Sequence, residues 1–483
     1  MIRMISCYLP SFQIADHRSK YQLPMSPPLQ GRTYVSESAL TLELSYRDND
    51  SSTIFRLMNT PKPTVDTKDR FILTSSNFPS LIIEKLFPKR LGSGFRLLIA
   101  SSWSAYLGDG FALAALPLLI ASRTHNPSLV ALAALLQRLP WLLFGLASGV
   151  VADRFNRIKL VVLVEAVRAG LLIALAITIF LGWANITLLL VAAFAIGISE
   201  VFSETATDTI APTLIRSEDL SLATSRRYTG VVTLNQLAGP PIGSFLYAAG
   251  ASLPFIGQAL LVGTGALTIS RVKLPPHPRS DKKSHLGREV IDGWRWIIHH
   301  GPVRTLFVTI FIFNITFGAA WAVLVLFAEE RLGLGSFGFG VLTAASAVGG
   351  VIGTSFYGWL TKKVALSNIL RVGLIIEALT HLSFAITRNA IFATIVMTIF
   401  GAHAFIWGTA AVTVRQRSVP TELQGRVGSV YSIGMYGGLV IGSALGGVIG
   451  SRFGVTAPFW FAFYGSIIFI VFIWKQLHHL ADV

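Results

Sequence analysis

Long apolar runs separated by short polar stretches follow one another from residue 95 to residue 475. They lie at 95–121, 127–150, 158–181, 184–208, 225–249 and 253–271, then at 302–328, 336–361, 365–387, 390–413, 425–450 and 454–475. Each is long enough for a helix to cross a hydrocarbon core of about 30 Å. A chain inside lipid must satisfy its own backbone hydrogen bonds, so runs of this kind predict helices. The predicted fold is an all-α polytopic membrane protein of about 12 transmembrane helices.

Two stretches depart from this pattern. Residues 1–90 carry scattered charges and prolines, among them Pro24, Pro27, Pro28, Pro61 and Pro63, and show no sustained period. They read as a disordered cytoplasmic arm, or as residues preceding a start at Met58; no signal-peptide h-region is visible. Residues 272–301 form a polar connection, in which Pro275, Pro276 and Pro278 break any helix and Glu289–His299 has the pattern of a short amphipathic helix on the inner leaflet. The expected division is 91–271 for a first six-helix half, 272–301 for the linker, 302–475 for a second half and 476–483 for a tail.

Composition agrees with the class. Of 483 residues 52% are hydrophobic and only 13% charged, about half the charged share of a soluble domain. The single cysteine, Cys7, excludes a disulfide framework and a cysteine-rich metal site. The net charge of +16 invites a nucleic-acid reading, but the bases are placed otherwise. Arg154, Arg157, Lys159, Arg226, Arg227, Lys362, Lys363, Arg415, Arg417, Arg426 and the basic linker fall in alternate connections. The opposite connections hold Arg123, Arg331, Arg388 and Arg452. By the positive-inside bias, both termini face the cytoplasm, in a multi-pass protein of the cell membrane.

The two halves repeat. Arg96 and Arg304 open corresponding spans, and Gly110 matches Gly318 at the same offset. Gly149 corresponds to Gly358. Arg227 precedes Gly239-Pro240-Pro241-Ile242-Gly243 as Arg426 precedes Gly438-Leu439-Val440-Ile441-Gly442. Parallel six-span repeats of this kind are a transporter architecture.

Charges within the spans are the candidate chemistry. Asp109 and Arg138 lie near the middle of the first and second spans, where a lone charge costs about 2.5–3.5 kcal/mol or more. They are expected to meet near the midplane, either as a protonatable acid with its arginine or as a fixed ion pair. Glu165 and Arg168 stand three apart on one helix face. Glu200, Glu204 and Asp208 form a stripe at intervals of four; it either pairs with Arg154, Arg157, Arg226 or Arg227 or carries cations or protons. Glu377, His381 and His403 are the comparable groups of the second half, and such histidines read first as packed, hydrogen-bonded side chains. Trp103, Phe111, Phe313, Phe317, Trp321 and Trp407 are candidates to line an apolar cavity.

Glycines mark close approaches. Gly434, Gly438, Gly442, Gly446 and Gly450 give one helix a nearly bare face, read as packing or as a sliding surface between halves; Gly145 and Gly149 repeat this on a smaller scale. Pro240 and Pro241 predict a kink, because they remove backbone donors.

The loop Gly149-Val-Val-Ala-Asp153-Arg154-Phe-Asn-Arg157 has the spacing G-x-x-x-D-R-x-x-R. It resembles the signature loop of the major facilitator superfamily. Gly239-Pro240 resembles the motif in the fifth helix of that superfamily's antiporters. Gly108-Asp109-Gly110, Leu116-Pro117, Arg138-Leu-Pro140 and Arg415-Gln-Arg417-Ser-Val-Pro420 with Gly425-Arg426-Val427 resemble its macrolide-efflux and enterobactin-exporter group over about residues 95–475. The resemblance implies a rocker-switch exporter driven by the proton gradient, with no other cofactor. It also implies a gate in which the Asp153 loop, with Gly149, Arg154 and Arg157, contacts the start of the eleventh helix at Arg426.

The expected function is proton-coupled efflux of an amphipathic small molecule, by a monomer embedded in lipid and not bound to nucleic acid. Uptake of a metabolite, or a non-transporting membrane protein, are the alternatives. No Walker loop, H-E-x-x-H or G-x-S-x-G pattern is present, which argues against an enzyme; a match to G-x-G-x-x-G at Gly333–Gly338 lies between spans with no strand before it and reads as chance.

Overall fold

A computed structural model describes residues 89–274 and 286–476. The N-terminal arm and the proline-rich part of the linker, at 275–285, lie outside the described residues. Among the described residues nine helices are long and apolar enough to cross a membrane. They include α1 (Gly92–Ala121), α2 (Pro127–Arg154), α3 (Arg157–Phe180) and α4 (Ile186–Leu214). The fifth run is segmented: α5 (Leu220–Gly230), a π-helical stretch Val231–Ala238, and α6 (Gly239–Ala249). The sixth, α7 (Leu253–Ile269), is a shorter apolar helix.

After the linker helix α8 (Leu286–His299) come α9 (Gly301–Trp321) and its continuation α10 (Leu324–Glu330). Then follow α11 (Ser336–Lys363), α12 (Leu366–Ile386), α13 (Ala390–Ser418), α14 (Gln424–Phe453) and the short apolar α15 (Ala457–Ile473).

Local chemistry sets several boundaries. Asn126, Asn156, Asn185 and Asn389 each cap the helix that follows, accepting from Ser128, Lys159, Leu188 and Phe392 backbone N–H groups at 2.9–3.1 Å. These side chains satisfy donors that a helix start leaves free. The expected kink at Pro240-Pro241 takes the form of a π-helical turn just before them. The prolines cannot donate to the preceding turn, and Gly239 N–H instead reaches back five residues to Leu234 O.

The predicted repeat shows as equivalent packing. A Cβ on Gly110 would lie 2.8 Å from the Gly239 Cα, and one on Gly318 would lie 3.3 Å from the Gly442 Cα. Thus α1 closes on the fifth run as α9 closes on α14. The glycine stripe of α14 has the same purpose. Gly438 and Gly442 face the backbone of Phe311, Ile315 and Ala319 on α9. Of its two readings, packing is the one these contacts support: Gly434, Gly438, Gly442 and Gly446 face α9, because bare backbone is what lets α9 approach, while Gly450 also meets Pro127 of α2. Gly437 and Gly447 of the neighbouring row face Leu142 and Ala131 of α2. Gly145 and Gly149 pack against nothing; a Cβ on either would meet no atom within 4 Å.

The apolar core is one body at one end and two at the other. Opposite the Asp153 loop, a single cluster runs from Leu119 and Leu172 to Phe327, Phe384 and Phe459 and joins both sets of helices. At the Asp153 end the first set has its own core around Phe95, Leu98 and Ile210. The second set has another, around Leu306, Leu370 and Val427.

Candidate functional site

The first set of helices gathers its inward charges in two tiers. In the middle tier Asp109 of α1 forms an ion pair with Arg168 of α3. Gln258 Nε2 of α7 donates to the same Asp109 oxygen at 3.0 Å. Arg168 also lies 3.5 Å from Glu165, and Ser203 of α4 donates to Glu165. One arginine, 2% exposed, thus ties two acids from two helices, and a serine and a glutamine satisfy remaining lone pairs.

The second tier lies nearer the Asp153 end. Arg227 of α5 donates to Glu204 at 2.8 Å and to the Tyr106 hydroxyl at 2.9 Å, and pairs with Asp208. Tyr106 in turn donates to Glu204 at 3.0 Å. Of the four arginines that could have met the acidic stripe of α4, Arg227 takes two of its three members. A helical face at intervals of four presents Glu204 and Asp208 to one guanidinium, whose fork reaches both.

Arg138 corrects the sequence reading. It does not meet Asp109, which Arg168 holds; its electrostatic neighbours are Glu200 and Tyr436. The reason is packing. α1 lies against α7, and α7 in turn against α3 and its Arg168, whereas Arg138 lies on the side of α2 that meets α14. There Trp141 stacks on Tyr436 at 5.2 Å between centroids. The signal for Arg168 was present in the sequence as the second mid-span arginine, but its own-helix neighbour Glu165 concealed the more distant partner.

Of the six aromatic cavity candidates, four form two stacked pairs. Phe313 stacks on Trp407, and Phe317 on Trp321 and Phe400, with centroids 4.5–6.1 Å apart. They lie within the second set, between α9 and α13. Behind them Glu377 of α12 meets two imidazoles: His403 Nε2 at 2.9 Å and His381 Nε2 at 3.1 Å. Phe111 is corrected to a packing residue. It is buried, and its ring abuts Gly257 of α7 while its backbone meets Gly243. Trp103 donates to the Arg226 carbonyl at 3.2 Å.

The gate loop is open here. Asp153 is 62% exposed and pairs with Arg157 at 3.3 Å, within its own loop. Arg157 also donates to the Thr209 carbonyl at 3.0 Å. Arg154 is exposed. Arg426 pairs instead with Asp292 of α8, at 3.3 Å. The implied contact between Asp153 and the start of α14 is absent among the described residues. At the other end the halves touch: Ser128 of α2 donates to Gly447 O and Ser451 Oγ of α14 at 3.1 and 3.0 Å. Gly340 of α11 stands against Pro240 and Ser244 of α6.

Comparison with known proteins agrees with this geometry. The family of transmembrane secretion effectors matches residues 88–480. The enterobactin exporter of Salmonella typhi is 25% identical over 364 residues, 74% of this chain and 86% of that protein. The enterobactin exporter of Shigella boydii serotype 4 is 22% identical over 358 residues, 74% and 85% of the two chains. Among solved structures, the nucleoside transporter NupG superposes with a TM-score of 0.65 at 11% identity, over 80% of this chain and 100% of that one. A bacterial homologue of the iron transporter ferroportin, in an inward-facing state, gives 0.63 at 16% identity, over 82% and 99%. At such identities the structures speak for the fold alone. The chain is a non-enzymatic, multi-pass transporter that belongs to the transmembrane secretion effector family of the major facilitator superfamily, and it is similar to the enterobactin exporters.

Proposed function

We propose that this transporter exports an amphipathic small molecule, of the siderophore or drug class, from the cytoplasm across the cell membrane, in exchange for protons. The observation that carries the alternating-access part is the core: it is continuous at one end and divided at the end bearing the Asp153 loop. Basic loops on the cytoplasmic side support reading this conformation as inward-facing. Rocking the two sets about their joined end would close Asp153 towards Arg426, where a helix start favours an anion.

Coupling rests on the buried acids. Asp109, Glu200 and Glu204 share Arg168, Arg138 and Arg227 near the centre, so protonation of one acid redistributes the arginines among the others. One proton entering down 100 mV supplies about 2.3 kcal/mol, enough for a gradient of about fifty-fold. The aromatic surfaces of Phe313, Phe317, Trp321 and Trp407 suit an apolar substrate, and the protein acts as a monomer.

Everted vesicles test this directly. With enterobactin and a panel of amphipathic drugs, accumulation inside the vesicles should require this protein and should collapse with a protonophore. Accumulation only in right-side-out vesicles would replace export by uptake. Accumulation untouched by a protonophore would remove proton coupling.

A further inference from the structure

We propose that Glu377, His381 and His403 form a proton-binding site in the second set of helices, with His403 Nδ1 as the atom that takes the proton. The proposal rests on the proton-driven reading above and adds a site remote from the acids of the first set.

Glu377 on α12 and His403 on α13 are buried, at 1% and 6% exposure, and His381 is fully enclosed. An ionised carboxylate only accepts hydrogen bonds. The His403 Nε2, at 2.9 Å from Glu377 Oε2, therefore carries its hydrogen, and the neutral ring leaves Nδ1 as a bare base. That atom has no hydrogen-bond partner. His381 Nε2 lies 3.1 Å from the other carboxylate oxygen, in contact but outside hydrogen-bond alignment.

The charge balance gives this bare base a purpose. One carboxylate with two neutral imidazoles carries a net charge of −1. A single proton on His403 Nδ1 makes the cluster neutral while Nε2–H continues to donate to Glu377. In a hydrocarbon setting the step from −1 to 0 removes an uncompensated charge.

No other charge does so. Arg371, six residues before Glu377 on α12, donates to the Trp474 carbonyl at 2.7 Å. On α9 the charged residue is Arg304, which donates to Ile298 O at the far end. On α13 Arg415 and Arg417 lie in the last turn, Arg415 over Tyr431. On α11 Tyr357, Lys362 and Lys363 lie near the Asp153 end, Lys363 over Trp359. On α15 the titratable group is Tyr464, exposed and stacked on Trp460.

The space suits a proton and little else. A Cβ on Gly373 would lie 3.3 Å from His403 Nδ1 and 2.7 Å from Trp407. Phe400 and Trp321 close edge-to-face on His403 and His381. In this conformation Trp407, stacked on Phe313, lies beside the site, and Glu377, His381 and His403 are all nearly closed to solvent. Proton exchange then requires these packed side chains to part, which ties loading to the conformational change: the proton arrives from external water in one state and leaves to the cytoplasm in the other.

The test uses the full-length protein, labelled with nitrogen-15 at histidine and held in lipid nanodiscs without substrate. Spectra are recorded between about pH 5 and pH 9, where imidazoles titrate. His403→Gln assigns the signal. If that variant does not fold, His403→Asn or selective assignment against His381→Gln serves. The His403 Nδ1 signal should move from free base to protonated as pH falls through that range, and Glu377→Gln should weaken that response. A His403 signal that stays fixed while exposed His125 titrates would overturn the proposal. The two readings fail separately: protonophore-insensitive transport removes the proton drive, whereas a fixed His403 beside protonophore-sensitive transport removes only this site.

Discussion

Asp109 of α1 is held by Arg168 of α3, not by Arg138 of α2. Arg168 has a second acid, Glu165, at 3.5 Å, so it is the pivot that joins α1, α3, α4 and α7. A buried pair of this kind gives little net stability compared with apolar packing, but loss of one member strands the other.

That asymmetry gives a stability prediction. Arg168→Leu leaves Asp109 and Glu165 buried without a counter-charge, at a cost of about 3–5 kcal/mol. The variant should unfold at clearly lower temperature in detergent or fail to accumulate. Arg168→Lys keeps a charge but loses the fork and should fall between. An unfolding temperature equal to wild type for Arg168→Leu would refute the pivot role.

Coupling should depend on the acids individually. Asp109→Asn and Glu200→Gln should each abolish accumulation against a gradient while leaving substrate exchange at equilibrium. Exchange and accumulation measured on the same proteoliposomes separate the two. A variant that still concentrates substrate in a protonophore-sensitive manner would be removed from the coupling path.

The joined end of the two halves can be locked. Ser128 and Ser451 hydroxyls are 3.0 Å apart, so cysteines at these positions bring two thiols together across the joined end. With Cys7 replaced, Ser128→Cys with Ser451→Cys should cross-link under oxidation and stop transport, and a reductant should restore it. Continued transport by the oxidised, cross-linked protein would mean that this end does not open.

The opposite gate should behave inversely. Asp153→Cys with Arg426→Cys should not cross-link in the inward-facing state locked above, and should cross-link once the outer end is released. Read instead through Arg154→Cys with Gly425→Cys, which keep Asp153 and Arg426, Asp292→Asn frees Arg426 from a partly exposed pair worth at most about 1 kcal/mol, so the cross-linked fraction should rise up to about five-fold. An unchanged yield would show that the linker helix does not compete with Asp153.

Two glycines should respond oppositely. Gly442→Leu drives a side chain into the α9 backbone, where even a Cβ would lie 3.0 Å from Ala319 N; it should cost about 1–3 kcal/mol or more. Gly149→Ala meets nothing within 4 Å and removes a helix-interior glycine, a gain of about 0.5–1 kcal/mol. Thermal unfolding measures both. If Gly149→Ala stabilises yet slows transport, the open space beside Gly149 is used by a neighbour in the other conformation.

The sequence by itself determined what depends on local composition and period. Apolar runs of membrane length, basic connections on alternate sides, the amphipathic linker helix and the duplicated Gly110 and Gly318 positions were all legible, because each is a property of one segment or of its repeat. The tertiary structure decided what depends on which faces meet. It gave Asp109 to Arg168, turned the α14 glycines towards α9, made Phe111 a packing side chain, and brought His381 and His403 to one carboxylate. A charge in the middle of a helix must find a partner in lipid, and the sequence shows that need. Which partner it finds follows from the rotation and neighbours of that helix, and those are fixed only when all the helices pack together.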